Sequence, residues 1–304
     1  MSNGVVGAAC AMFLVGTLAG VSGLVKDYPV YGGQAVRYLV AAVVLLAMVR
    51  ATGQRFVRLT PREWALLGAL SFTGLALFNV CVTESARAAG PALVGTVLGA
   101  VPLALALAGG RPAPRLLAGA GVVVAGATLA TGLGSGNLTG LLWALGAFAG
   151  EIAFSLLAIP LLPRLGAMRV SAYSTALAVP MLATIGLVTE GSGMLRAPSL
   201  AEAAGFAYLA LVVTVVAFFL WYSALPRLGP GRAGLFAGLI PVGAIATGAV
   251  LGIATPSGYD LLGAGLVVGG IVIGLTARRP APPAASPGSP GSPGSTPRVV
   301  TERT

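Results

Sequence analysis

Histidine is absent from this chain of 304 residues, cysteine occurs twice, and only 9% of the residues are charged. Without histidine, the common imidazole metal sites and the Ser-His-Asp triad cannot be assembled. No cluster of carboxylates takes their place, so the sequence reads as a non-enzyme with no catalytic residue, no metal and no cofactor. Cys10 and Cys81 each fall inside an apolar run, where free packing rather than a disulfide is expected. Soluble domains are roughly one quarter charged, so a chain this poor in charge and 57% hydrophobic belongs in another solvent.

The apolar residues form ten runs, at Gly4–Leu24, Val30–Met48, Trp64–Thr83, Pro91–Ala108, Pro114–Thr131, Thr139–Ile159, Val170–Val188, Ala203–Tyr222, Ala233–Ile253 and Tyr259–Leu275. Most hold about 17 to 22 residues, and a helix needs about 20 to cross roughly 30 Å of hydrocarbon. Helices satisfy their own backbone hydrogen bonds, which lipid cannot do. The pattern predicts an all-α polytopic membrane protein with ten transmembrane helices. The first run reaches Leu24 and lacks a charged leading region, so it is expected to be a retained helix rather than a signal peptide.

The net charge of +10 is spread over loops rather than gathered in a patch. With the amino terminus inside, the inner loops and tail hold 14 of the 18 Lys and Arg residues, among them Arg50, Arg55, Arg58, Arg62, Arg164 and Arg169. Outer loops keep Lys26, Arg87 and Arg196, together with Asp27, Glu84, Glu190, Glu202 and Asp260. This is the positive-inside pattern. It predicts a multi-pass protein of the cell (inner) membrane with both termini cytoplasmic, and it argues against a nucleic-acid partner, which needs clustered charge. Trp64, Trp143 and Trp221 lie near run ends, as do Tyr28, Tyr31, Tyr222 and Tyr259, where amphipathic rings favour the interface. Trp221 is therefore expected in the aromatic belt rather than against substrate.

An internal repeat is visible. Gly90-Pro91 followed by Pro102 recurs 139 residues on as Gly229-Pro230 followed by Pro241. Gly119-Ala120-Gly121-x-Val123-Val124-x-Gly126 recurs 144 residues on, from Gly263 to Gly270. Five runs per half make the halves inverted, an architecture used for alternating access. The expected organisation is a five-helix repeat at 4–132, an inverted five-helix repeat at 139–277, and a tail at 280–304. The tail includes Ser-Pro-Gly three times, a composition that builds no core, and is expected to be disordered and cytoplasmic. The repeated glycines are expected to let helices approach closely. Pro102 and Pro241 are expected to break corresponding helices near the site or its gate.

These residues resemble the drug/metabolite transporter superfamily in its EamA-type branch. The likeness rests on Pro29 with Arg37-Tyr38, on Thr214-x-x-Ala217-x-x-Leu220-Trp221-Tyr222-x-Ala224-Leu225, on the Gly229 to Pro241 turn, and on the glycine-rich tenth run. It spans about Gly4 to Leu275. It implies ten helices in two halves and transport of small organic solutes. The glutamate that often ends the fourth and ninth helices in that family is missing: Gly109-Gly110-Arg111 and Gly252-Ile253-Ala254 stand there, so no role of that glutamate carries over.

Polar residues within the runs are few. Glu151 lies deep in the sixth, where a charge costs at least about 2.5 to 3.5 kcal/mol unless it faces a cavity, finds a partner or carries a proton. It is the leading site candidate, against the alternative of a static fastener between helices. Arg37, with Gln34 on the same face, either holds a substrate carboxylate or forms a fixed pair with Glu84 or Glu151. Asn79 and Thr83 share a face of the third run, and Thr214 lies mid-span in the eighth, where a threonine also bonds its own helix. The expected function is a permease that exports a small metabolite such as an amino acid or amine by alternating access, with a coupling proton and the lipid bilayer as partners; a homodimer is compatible with it. Alternatives are proton-coupled efflux of toxic or drug-like cations and, in another class, a lipid-handling or structural scaffold.

Overall fold

The computed structural model describes residues 2–108, 112–131, 137–252 and 255–276. The tail at 280–304, the stretch 109–111 and residues 253–254 lie outside the described residues, and with them the expectations placed there. Helices account for all the regular structure among the described residues. In chain order they are α1 (Ser2–Val21), α2 (Val30–Ala51) and α3 (Pro61–Ala89); α4, in two pieces (Pro91–Gly99 and Val101–Ala108); α5 (Pro114–Thr131), α6 (Leu138–Leu156) and α7 (Leu162–Glu190); and α8 (Leu200–Leu228), α9 (Pro230–Val250) and α10 (Gly258–Leu275). Eight of these are long and apolar enough to cross a membrane. α4 and α5, expected as full spans, are the shorter ones: their apolar helices cover Leu93–Ala108 and Pro114–Ala130. The protein is an integral multi-pass membrane protein.

α3 and α8 are built alike. Each starts with a capping box, Thr60 with Glu63 and Ser199 with Glu202, in which side chain and backbone satisfy each other's free donors. Each then passes into an eight-residue π-helical segment, Leu70–Leu77 in α3 and Leu209–Val216 in α8. Each resumes as twelve residues of α-helix and ends at a glycine of positive φ, Gly90 (81°) or Gly229 (78°), followed by a proline. Only glycine adopts that left-handed turn without strain, and the proline's missing N–H falls where a helix needs none. α4 breaks at Ala100 and α9 loosens into a 3-10 turn at Leu235–Gly238, so Pro102 and Pro241 each sit in the first turn of the piece that follows.

Small residues set the closest crossings. A Cβ on Gly119 of α5 would lie 2.5 Å from the Gly274 nitrogen and 2.6 Å from the Gly270 oxygen of α10. Likewise, a Cβ on Gly263 would lie 2.6 Å from the Gly126 oxygen. Backbones in lipid gain most of their packing from such approaches. Gly121 and Gly265, expected in the same interface, face away: a Cβ on either would meet nothing within 4 Å. Their helical phase explains this, since the crossing takes every seventh residue, and 121 and 265 are two positions, about 200°, off that line.

Candidate functional site

A cavity of about 400 Å³ lies among α1, α2, α3, α4, α6, α8 and α9. It extends from exposed Lys26, at the α1–α2 turn, down to Glu151 and Trp221. α7 contributes nothing to its wall, although α2 does. The aromatic lining is Tyr28, Tyr38, Phe78, Phe154, Phe206, Phe218 and Trp221. Phe154 packs on Phe218 at a centroid separation of 4.9 Å.

Four of the five binding residues expected from sequence line this cavity: Glu151, Arg37, Gln34 and Asn79. The fifth, Thr214, reaches it through Arg37. Arg37 is 4% exposed, and its Nε donates to Thr214 Oγ1 at 2.9 Å. Its NH1 donates to Gln34 Oε1 at 3.2 Å. Thr214 in turn donates to the Leu209 carbonyl five residues back at 3.0 Å, a bond that the π segment makes available. The guanidinium is thus oriented by two neutral acceptors, and its hydrogen bonds run to neither Glu84 nor Glu151. That removes the fixed ion pair as an account of Arg37. Glu84 is engaged elsewhere, by Tyr31 Oη at 2.9 Å and by Arg87 at 2.8 Å.

Asn79 Nδ2 donates to Tyr38 Oη at 3.3 Å and to the Leu75 carbonyl at 2.7 Å, which aims its amide along α3 towards α2. Glu151 borders the cavity five residues before the end of α6, and no side-chain hydrogen bond to it occurs among the described residues. The charge pattern is therefore one buried cation and one carboxylate on a shared, mostly apolar surface. Pro102 and Pro241 do not line it, but the residues beside them do: Leu98 and Val101 on α4, and Ala237 and Ile240 on α9.

Those four illustrate a wider regularity. Ala237 and Ile240 stand 139 residues after Leu98 and Val101. At the same offset, Gly74, Phe78, Asn79 and Val82 of α3 correspond to Val213, Ala217, Phe218 and Trp221 of α8, and all eight line the cavity. Met12 and Val15 of α1 stand in the same relation to Glu151 and Phe154 of α6.

Four residues expected at the interface are buried instead: Tyr28 and Tyr31 near the rim, and Trp221 and Tyr222 deeper in. Trp221 is 2% exposed and lines the cavity, and Tyr222 is 0% exposed behind it. The helix runs on to Leu228, so six further residues, about 9 Å of rise, separate Tyr222 from its end. The Gly229-Pro230 turn, rather than the aromatic pair, marks that boundary in the sequence. Trp64 and Tyr259, 53% and 71% exposed, do occupy the outer surface.

The rim near Lys26 is tied by groups that the sequence presents as loop charges. Glu190, ending α7, accepts from the backbone N–H groups of Tyr31 and Gly32, both at 2.9 Å, and so caps α2. Arg196 pairs with Glu202, which holds the guanidinium above its ordinary range, and it also donates to the Asp27 carbonyl at 3.2 Å. On the opposite face Arg164 pairs with Glu63 and donates to the Arg58 carbonyl at 3.0 Å.

Residues 135–276 match the EamA-like transporter family. The chain is 27% identical over 279 residues to the uncharacterized transporter YetK of Bacillus subtilis (strain 168), covering 87% of this chain and 84% of that one. A crystal structure 22% identical in sequence superposes with a TM-score of 0.76 over 90% of this chain and 96% of its own, a likeness of fold.

Proposed function

Since residues 135–276 match the EamA-like transporter family and the chain is similar along most of its length to a transporter, we propose that this membrane transporter is an EamA-type permease of the drug/metabolite transporter superfamily that carries a small zwitterionic metabolite, an amino acid or a close analogue, by alternating access. The observation that carries this reading is the presence of both Arg37 and Glu151, not bonded to each other, on the wall of one aromatic and aliphatic cavity. Arg37 matches a carboxylate, Glu151 matches an ammonium group, and the apolar wall matches the remainder of the solute. Gln34 and Thr214 orient the arginine, and Asn79 offers a neutral polar contact. The Trp221 indole N–H, without a partner among the described residues, supplies a further donor.

Ten membrane helices in two inverted halves, at 4–132 and 139–277, are the proposed frame. The 139-residue pairing of cavity residues supports it, because a site between inverted repeats is lined by equivalent positions of both. The glycine contacts support it too: the repeat relates Gly119 to Gly263 and Gly126 to Gly270, and these meet crosswise, 119 with 270 and 126 with 263. The helix breaks before Pro102 and Pro241 act as the gates on this reading. The proposed setting is the inner membrane with both termini cytoplasmic, for which the basic α2–α3 loop is the support; reporter fusions in the Arg50 to Arg62 loop read cytoplasm and fusions at Gly191 read outside, and the reverse reading overturns the orientation. The proposed direction is outward, with a proton exchanged at Glu151.

Counterflow in proteoliposomes against amino acids, amines, nucleosides and sugars tests the substrate class. Exchange of amino acids is the expected result. Exchange confined to lipophilic cations favours drug efflux instead, a reading that the arginine in the cavity opposes. Expression that raises tolerance to toxic amino-acid analogues supports export, and sensitisation to them overturns it.

A further inference from the structure

Four buried polar atoms have no hydrogen-bond partner among the described residues: the hydroxyls of Ser155, Ser171 and Tyr222 and the indole nitrogen of Trp221. Trp221 borders the cavity, whereas the three hydroxyls do not. A helical serine or threonine ordinarily solves this problem by bonding the carbonyl one turn back. In this chain Ser71, Thr73, Thr175, Thr184, Thr189 and Thr247 all do so, at 2.7 to 2.8 Å. Ser155 and Ser171 forgo it. Leaving such groups unpaired in an apolar interior is costly, so a conformation that wets them recovers free energy.

The 139-residue correspondence says where that wetting belongs. Ser155 corresponds to Gly16, Ala158 to Ala19 and Tyr222 to Thr83, and all three counterparts line the cavity. Ser155, Ala158 and Tyr222 are each 0% exposed and stand outside it. They sit directly behind its floor. Tyr222 packs on Phe154 with ring centroids 5.0 Å apart and the planes tilted by 33°, and Phe154 faces the cavity. Ser155 is one helical turn beyond Glu151.

We infer that Ser155, Ala158 and Tyr222 line the other half of the translocation path, closed in this conformation and opened towards the face of Arg58 and Arg164 when the two halves exchange shapes. This rests on the alternating-access reading above. It adds a second, hydroxyl-bearing surface for the polar end of the solute and its water, reached past the Phe154–Tyr222 partition. Glu151 then has the described cavity on one side and these hydroxyls on the other.

Cysteine labelling tests it in a background carrying Cys10→Ala and Cys81→Ala. Ala19→Cys, Ala158→Cys and Ser155→Cys are introduced singly and treated with membrane-impermeant sulfonatoethyl methanethiosulfonate on one face or the other of oriented vesicles. Ala19→Cys is expected to react from one face, and Ala158→Cys and Ser155→Cys from the opposite face. Reaction of all three from the same face overturns the inference, as does silence of positions 155 and 158 from both faces in variants that still perform counterflow. Counterflow by the cysteine-free background is scored separately, so loss of transport sinks the permease reading and not the path alone. Tyr222→Phe gives a second measure that keeps the ring packed on Phe154. Its thermal midpoint is expected to hold or rise while exchange slows several-fold; a lower midpoint with unchanged exchange makes the hydroxyl structural and overturns the assignment.

Discussion

Arg37 on α2 donates through Nε to Thr214 on α8 at 2.9 Å, across 177 residues of chain. The bond fixes the direction of a buried guanidinium without neutralising it, since its acceptors are a hydroxyl and an amide. Arg37→Lys retains charge but loses the planar fork. A buried hydrogen bond to a charged group is worth about 1.5 to 3 kcal/mol, so transport efficiency is expected to fall by roughly 10- to 100-fold. Thr214→Val is expected to lose less, because Gln34 remains. Initial counterflow rates over a range of substrate concentrations check both; an unchanged Arg37→Lys removes the arginine from the site.

Glu151→Gln keeps the shape and the hydrogen-bonding end while removing the titrating group. Accumulation driven by a pH gradient is expected to vanish, while exchange down the solute's own gradient survives and the protein still folds. Thermal stability is expected to hold, since no hydrogen-bond partner of Glu151 occurs among the described residues. A stable Gln variant with an unaltered pH dependence of uptake excludes Glu151 from coupling.

Trp221→Phe tests the donor that faces the cavity. An aromatic ring stays, smaller than the indole, and the N–H goes; a neutral hydrogen bond contributes about 0.5 to 1.5 kcal/mol. The half-saturating concentration is therefore expected to rise about two- to ten-fold, with little change in maximal rate. No change at all makes Trp221 a wall and nothing more.

The helix crossing between α5 and α10 offers a control on the frame. Gly119→Ala places a methyl 2.5 Å from the Gly274 nitrogen, whereas Gly121→Ala meets nothing within 4 Å. Overpacking costs about 1 to 3 kcal/mol, so the first variant is expected to lose several degrees of thermal midpoint in detergent and the second almost none. Equal behaviour of the two contradicts the packing.

Much of this architecture is legible in the sequence because its signals are local. Gly90-Pro91 and Gly229-Pro230 announce the ends of α3 and α8 by backbone chemistry alone, and their spacing carries the repeat. Arg37, Gln34, Asn79 and Glu151 stand out because lipid makes polar residues rare. The rest depends on partners distant in the chain. Leu70–Leu77 and Leu209–Val216 share no composition that separates a π segment from an α-helix. Glu190 reads as a loop acid until the first turn of α2, 158 and 159 residues away in sequence, is set against it. The hydrophobic run stops at Tyr222, which points Trp221 to the interface, but the helix continues through Leu225-Pro226-Arg227 to Leu228 and carries the tryptophan inwards.

The π segments also each take up an extra residue. A π turn takes up one more residue per hydrogen-bonded loop than an α turn does, and each residue of an α-helix advances the azimuth by about 100°. Asn79 and Val82 in α3, and Phe218 and Trp221 in α8, all follow such a segment and all face the cavity. Deleting one residue from Leu70–Leu77 would let α3 continue as ordinary helix with Asn79 and Val82 facing nearly the same way, because the wider turn absorbs the extra residue. What such a stretch changes is which carbonyls stay free for side chains, as the Leu209 carbonyl does for Thr214, the residue that aims Arg37.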